Sequence, residues 1–183
     1  ALPAAYRRLF PGTTLKLGGS EFRVVPGYGH SPEHASLHGA DRRVLISGDM
    51  LLPKISTNVA VWPAEPDADQ LARFLASLAA FETLPDDTLV LPSHGLPFRG
   101  IRARVEALRD HHRARLAELV VAVGEAGGAA TAAEVVPVLF RRELDLQQRF
   151  FATGEAIAHL NHLATSGLLA RETSAEGRIR FTL

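Results

Sequence analysis

Three short stretches carry side chains suited to binding a cation: Gly29-His30-Ser31-Pro32-Glu33-His34, Ser47-Gly48-Asp49 and Ser93-His94-Gly95. Each follows a candidate strand, and each sets a ligand-type residue beside a glycine, where the backbone can turn sharply. The chain has no cysteine. Any transition metal would therefore sit on imidazole and carboxylate, the donors Zn²⁺ takes in the absence of thiolate. His30, Asp49 and His94 are the candidate ligands, and convergence would require their loops to meet at one edge of a sheet. Taken singly, each is equally a turn residue; the case rests on their order and shared context. His34 and His38 read as residues next to the site or within a strand. His111-His112 is a weaker pair, because adjacent helix residues do not face the same way.

The elements that must position these loops follow from periodicity. Leu15 and Leu17 alternate before the Gly18-Gly19 turn, and Phe22, Val24 and Val25 follow as a strand. Ala35–His38 is another, then Gly39-Ala40-Asp41 turns the chain into the apolar run Val44-Leu45-Ile46. Residues 50–66 hold three prolines and Trp62 without a clear period, and so predict a long loop. Trp62 either lines a pocket or anchors that loop. Asp67 or Asp69 can cap a helix over 69–83, where Leu71, Phe74, Leu75, Leu78 and Phe81 form one apolar stripe. Leu89-Val90-Leu91 is a short buried strand. Strands alternating with helices argue an α/β layer structure.

A second helical pattern runs from Ile101 to Val123 and crosses a unit boundary near residue 110, dividing the chain into 1–110 and 111–183. Thr131-Ala132-Ala133-Glu134 is a capping box that opens a helix, which Pro137 should kink or shorten. A further helix is expected over 154–166 and stops at Gly167. A strand begins at Leu168-Leu169, and Ile179, Phe181 and Leu183 alternate as a half-exposed strand. Helices followed by a terminal hairpin form a winged helix-turn-helix pattern.

The order G-H-S-P-x-H, S-G-D, P-S-H-G resembles the C-terminal half of the metallo-β-lactamase superfamily, over about residues 10–112. The remainder resembles the winged-helix domain appended to one branch, which includes hydroxyacylglutathione-hydrolase-like proteins and single-stranded endoribonucleases. The resemblance implies an α/β fold: the second half of an αββα sandwich, then a small α+β winged helix. It implies that His30 is a ligand of a first metal, that Asp49 bridges two metals and is the catalytic carboxylate, and that His94 completes the second. The cofactor implied is a pair of Zn²⁺ ions, with Fe or Mn²⁺ as alternatives. The chemistry implied is metal-assisted hydrolysis of a thioester, phosphodiester or similar bond in a small molecule or single-stranded RNA.

The superfamily's remaining ligands come from an H-x-H-x-D-H motif, and no H-x-H occurs in this sequence. We therefore expect a truncated piece of a hydrolase, inactive by itself and able to lose its metals. A sheet face left open should promote self-association, so a homo-oligomer is expected. The second reading is a non-catalytic module in which the winged helix binds RNA or protein.

Bulk properties narrow the partners. The formal net charge is +0 across 183 residues, which supplies no field toward nucleic acid or anionic membrane. Residues 110–183 hold eight Arg against nine Asp or Glu, and 154–166 has neither Lys nor Arg. Sequence-specific DNA binding, which depends on neutralising phosphates, is not expected. The Arg-rich stretch 102–115 is interleaved with acids and reads as a solvated helix face. No apolar run reaches membrane-span length, and Ala1–Phe10 lacks the apolar core of a secretory signal. A cytoplasmic location is the expectation.

Overall fold

A computed structural model describes residues 4–183. Residues 1–3, which open both the expected first unit and the Ala1–Phe10 segment, lie outside the described residues. The chain is a mixed α/β fold. Its first sheet contains β1 (Thr14–Leu17), β2 (Ser20–Gly27), β3 (His34–Gly39), β4 (Val44–Gly48) and β5 (Leu89–Pro92), in the order β1-β2-β3-β4-β5. The first four strands form an antiparallel meander, while β5 runs parallel to β4. A parallel return needs a crossover, and α1 (Gln70–Glu82) supplies it. Among the described residues, four helices are present in all.

This topology places the candidate loops. Strands β2, β4 and β5 all point the same way, because β3 is antiparallel to both β2 and β4. The segments following β2, β4 and β5 therefore emerge at one edge of the sheet, and they carry His30, Asp49 and His94 respectively.

Alternation decides which side chains enter the core. Val25, Leu45 and Val90 point to the helical side, where Leu71, Phe74, Leu78 and Phe81 of α1 meet Ile101, Val105 and Leu108 of α2 (Ile101–Glu125). Each fully buried side chain of this size contributes about 1.5–3 kcal/mol. Helix α1 begins where expected, with Asp69 accepting a hydrogen bond from the Ala72 amide at 2.8 Å. The sheet's other face is different. Leu37, Ile46 and Leu91 are register neighbours across β3, β4 and β5. None of the three is fully buried, and Ile46 is 39% exposed. Apolar residues thus lie on both faces of the central strands, and helices cover only one.

Beyond α2 come β6 (Ala129–Ala130), α3 (Ala132–Leu139), α4 (Leu146–Thr165), β7 (Ala170–Thr173) and β8 (Ile179–Thr182). The second sheet has the order β6-β8-β7. Leu119 and Val123 from the end of α2 join Val135, Leu160, Leu163, Leu169 and Phe181 in a second core. Helix α2 thus contributes its first half to one core and its second half to the other. Thr131 and Glu134 form the expected capping box, and α3 spans only eight residues with Pro137 inside it.

Three details depart from the sequence reading. Helix α4 starts at Leu146 rather than 154, behind an Asp145–Gln148 capping box. Its extra turns carry Arg149, so the helix is not free of cations. Strand β7 begins at Ala170 instead of Leu168, and the two-residue β6 has no counterpart in the periodicity. Among the described residues, no helix is long and apolar enough to cross a membrane.

Candidate functional site

The three loops meet at the sheet edge as topology requires. Asp49 stands between the two histidines. Its Oδ2 lies 3.3 Å from His30 Nε2, and its Oδ1 lies 3.5 Å from His94 Nε2. Ser93 Oγ donates to Asp49 Oδ1, and Thr57 Oγ1 donates to the Asp49 carbonyl at 2.5 Å. The Ser93 amide also donates to the Gly48 carbonyl at 3.2 Å, which ties the Asp49 and His94 loops together. The pairing of β4 with β5 shifts register between Ile46 and Gly48. This irregularity ends the ladder and turns Asp49 out of it.

Gly48 makes that turn possible. Its φ of +54° lies in the left-handed region, and a Cβ there would collide with His34 Nε2. His34, the first residue of β3, sits beneath the turn, where its Nε2 accepts from the Asp49 amide at 3.4 Å. The proton of a neutral ring then resides on Nδ1, which is buried without a partner. Burial holds the His34 pKa below its ordinary value; His30 lowers it further and Asp49 opposes the shift. His34 is accordingly a neutral prop for the Asp49 backbone.

His30 has a defined tautomer. Its Nδ1 lies 2.8 Å from the Asn58 carbonyl, which can only accept, so Nδ1 carries the proton. Nε2, which keeps its lone pair in the neutral ring, faces the Asp49 carboxylate. Two acceptors 3.3 Å apart repel unless a cation or a second proton lies between them. Imidazole fixed through Nδ1 to a carbonyl and offering Nε2 is the usual arrangement of a metal-bound histidine, and in this respect the donor set fits a divalent metal.

The number of donors is small. Each histidine reaches a different oxygen of one carboxylate, which leaves two donors on either side of Asp49. A closed site takes about four. Consistent with this, no group of three or more His, Asp or Glu side chains among the described residues is gathered into a metal cage. His94 is the loosest member, with its side chain 67% exposed.

Behind His30 lies a polar chain that sequence reasoning missed. Asn58 Nδ2 donates to Glu155 Oε2 at 2.8 Å. Glu155 sits on α4, and burial pushes its carboxyl up to about 7, with the Asn58 hydrogen bond pulling the other way. One turn on, His159 Nδ1 donates to the Glu155 carbonyl at 2.8 Å, and His159 Nε2 lies 3.1 Å from His112 Nδ1 of α2. The sequence of donors leaves both imidazoles neutral. Desolvation first, then neighbouring histidines, depresses His112 to about 3; burial takes His159 to about 4. Further along α4, His162 pairs with Asp69 at 3.1 Å, and Asn161 Nδ2 donates to the Pro66 carbonyl at 2.9 Å. Glu155, His159 and His162 recur at helical spacing along one face of α4. That stripe is the signal by which the sequence could have revealed a polar, buried seam.

Of the weaker candidates, His38 is a buried β3 residue and His111 is exposed while His112 is fully buried. Neither His38 nor His111 is among the partners of Asp49.

Comparison with known proteins agrees with this layout. The model for the metallo-beta-lactamase superfamily matches residues 3–94, just over half of the chain. The model for the metallo-beta-lactamase-like C-terminal domain matches residues 116–183. A beta-lactamase domain protein from Burkholderia ambifaria is 55% identical and superposes with a TM-score of 0.93, over 100% of this chain and 53% of its own. A metallo-beta-lactamase family protein from Thermus thermophilus is 32% identical with a TM-score of 0.85, over 99% of this chain and 56% of its own. An atrochrysone carboxyl ACP thioesterase of Aspergillus fumigatus is 26% identical over 77% of this chain and 45% of its own length. The chain thus spans about half the length of these relatives. With its sheet, its G-H-S-P-x-H, S-G-D and P-S-H-G loops and these matches all in agreement, the chain belongs to the metallo-beta-lactamase superfamily.

Proposed function

We propose that this chain supplies one side of a dinuclear metal site in a metal-dependent hydrolase acting on a thioester of a small molecule. The observation that carries the reading is the His30–Asp49 pair, in which Nε2 faces a carboxylate oxygen 3.3 Å away while Nδ1 is locked on the Asn58 carbonyl. His30 and Asp49 would hold one Zn²⁺, and Asp49 and His94 a second, with Fe or Mn²⁺ as alternatives. Such ions lower the pKa of bound water and polarise the bond under attack. The chain's own residues orient the donors: Ser93 fixes one Asp49 oxygen, His34 and Thr57 hold the Asp49 backbone, and Asn58 sets the His30 tautomer.

Two further features support the finer family reading. Leu37, Ile46 and Leu91 on the open sheet face suit contact with a second sheet, as in an αββα sandwich. Helices α3 and α4 with the β7–β8 hairpin follow the winged-helix pattern. A thioester is favoured over RNA because residues 110–183 carry no net positive charge, and because one relative is a thioesterase.

With two donors per ion, affinity should be modest. Four-ligand structural zinc sites yield about 10–16 kcal/mol, so two donors suggest roughly half that, a Kd of tens of micromolar. Thermal unfolding with excess Zn²⁺ against chelator tests the reading. The melting temperature should rise with Zn²⁺ in the parent chain and not in H30A or D49N. An equal rise in all three proteins would place the metal elsewhere and defeat the proposal.

A further inference from the structure

The loop that sets the His30 tautomer continues into a second concavity. Residues 60–66 face α4 and the small sheet across a cavity of about 230 Å³. Three aromatic rings gather at it: Trp62 lies 5.9 Å from Phe150 and 6.5 Å from Phe151, and the two phenyl rings are 5.8 Å apart. All three remain open to solvent, Phe150 by 56%. Ile157 and Phe181 also line the cavity. Aromatic side chains grouped round a concavity yet left unburied are characteristic of a ligand-binding surface.

The polar content of the wall narrows the ligand. Arg171 is the charged lining residue. Its Nη2 is paired with Asp67 Oδ1 at 2.6 Å, while its Nε–H is buried and lacks an acceptor. A wall with one guanidinium, the Thr153 hydroxyl and otherwise apolar side chains does not suit a phosphodiester backbone. It suits an apolar body bearing an oxygen acceptor. Position adds to this: Trp62 follows Asn58 by four residues, so it lies within about 14 Å of the residue that sets the His30 tautomer. Gly154 makes the approach of loop and helix possible, since a Cβ there would lie 3.0 Å from Ala60 Cβ.

We infer that this crevice is an acyl-binding subsite, taking an apolar acyl or aryl group whose oxygen acceptor meets Arg171. Its role as a substrate subsite rests on the hydrolase reading; its capacity to bind does not.

Trp62 is the sole tryptophan, so its emission reports the cavity directly. The metal-free 183-residue chain is titrated with linear carboxylates from butanoate to decanoate. Affinity should tighten about fourfold per methylene, the equivalent of about 0.8 kcal/mol, until the cavity is full. The F150A/F151A double variant should weaken octanoate binding about tenfold or more with little change in melting temperature, because both rings are substantially exposed. Octylamine should bind less tightly than octanoate, because its ammonium offers the unpartnered Arg171 Nε–H no acceptor. Affinity independent of chain length, or unaltered in the double variant, would overturn the proposal. So would sedimentation showing that the Trp62 response reports a dimer which the double variant dissociates, because a second copy would then be the occupant. A chain that binds Zn²⁺ but not carboxylates would lose the subsite and keep the hydrolase reading. The converse would leave the binding site and remove its catalytic meaning.

Discussion

The carboxyl of Glu155 should make stability depend on pH in a way that one isosteric change removes. Burial raises its pKa from 4.5 to about 7. Between these values the folded chain holds a proton that the unfolded chain has released. Stability therefore falls as pH rises through this window and levels off above it. A shift of about 2.5 units at 1.36 kcal/mol each gives about 3 kcal/mol as an upper bound. Glutamine preserves the volume and offers Asn58 Nδ2 the same acceptor, but it does not titrate. Urea unfolding followed by Trp62 emission, at pH 5 and pH 8.5, measures the effect. Taking E155Q minus wild type at each pH cancels the contributions of the buried histidines. The variant should gain about 2–3 kcal/mol over wild type on going from pH 5 to 8.5. Parallel stability profiles for the two proteins would refute the buried, protonated state of Glu155, and with it the Asn58 clamp as described.

Three other outcomes follow from the geometry. G48A forces a left-handed φ on a residue with a Cβ and pushes into His34; it should cost about 2 kcal/mol or more in chemical denaturation and weaken Zn²⁺ binding as the Asp49 turn shifts. The His112–His159 pair is neutral in the fold, with both values depressed below 6.5, so the unfolded chain takes up protons first as pH drops. Their contribution is intact above about pH 6.5 and is lost between there and about pH 3; H112N should flatten that acid limb in melts at pH 4.5–7. Replacing Asn58 with leucine leaves Glu155 without its donor and loosens the carbonyl under His30, so calorimetry should show a roughly 10–100-fold loss in Zn²⁺ affinity.

Much of this layout can be read from the sequence, and the reasons are local. Alternation in β2 to β4 and the Leu71–Phe81 stripe of α1 reflect burial on one side, so periodicity finds them. His30, Asp49 and His94 each follow a strand, and three co-directed strands bring their ends together, so order along the chain was enough to join them. The start of α4 was hidden because Leu146 is 87% exposed and Phe150 points into the crevice, which leaves the first turns without an inward stripe. The Asn58–Glu155 contact was hidden for another reason. It joins residues 97 apart through a seam between loop and helix, and nothing in the sequence around Asn58 points to Glu155. The His112–His159 contact is hidden in the same way, since its partners lie 47 residues apart.

The central claim is that Asp49 binds metal with His30 on one side and with His94 on the other, as one side of a dinuclear site. Two-dimensional ¹H–¹⁵N NMR of the histidine rings during a Zn²⁺ titration tests it most directly. The His30 and His94 Nε2 resonances should move together to metal-bound positions, His30 Nδ1 should stay protonated throughout, and D49N should abolish both shifts. Zn²⁺ shifts confined to His34, His111 or His162, or His30 and His94 shifts that persist in D49N, would contradict it.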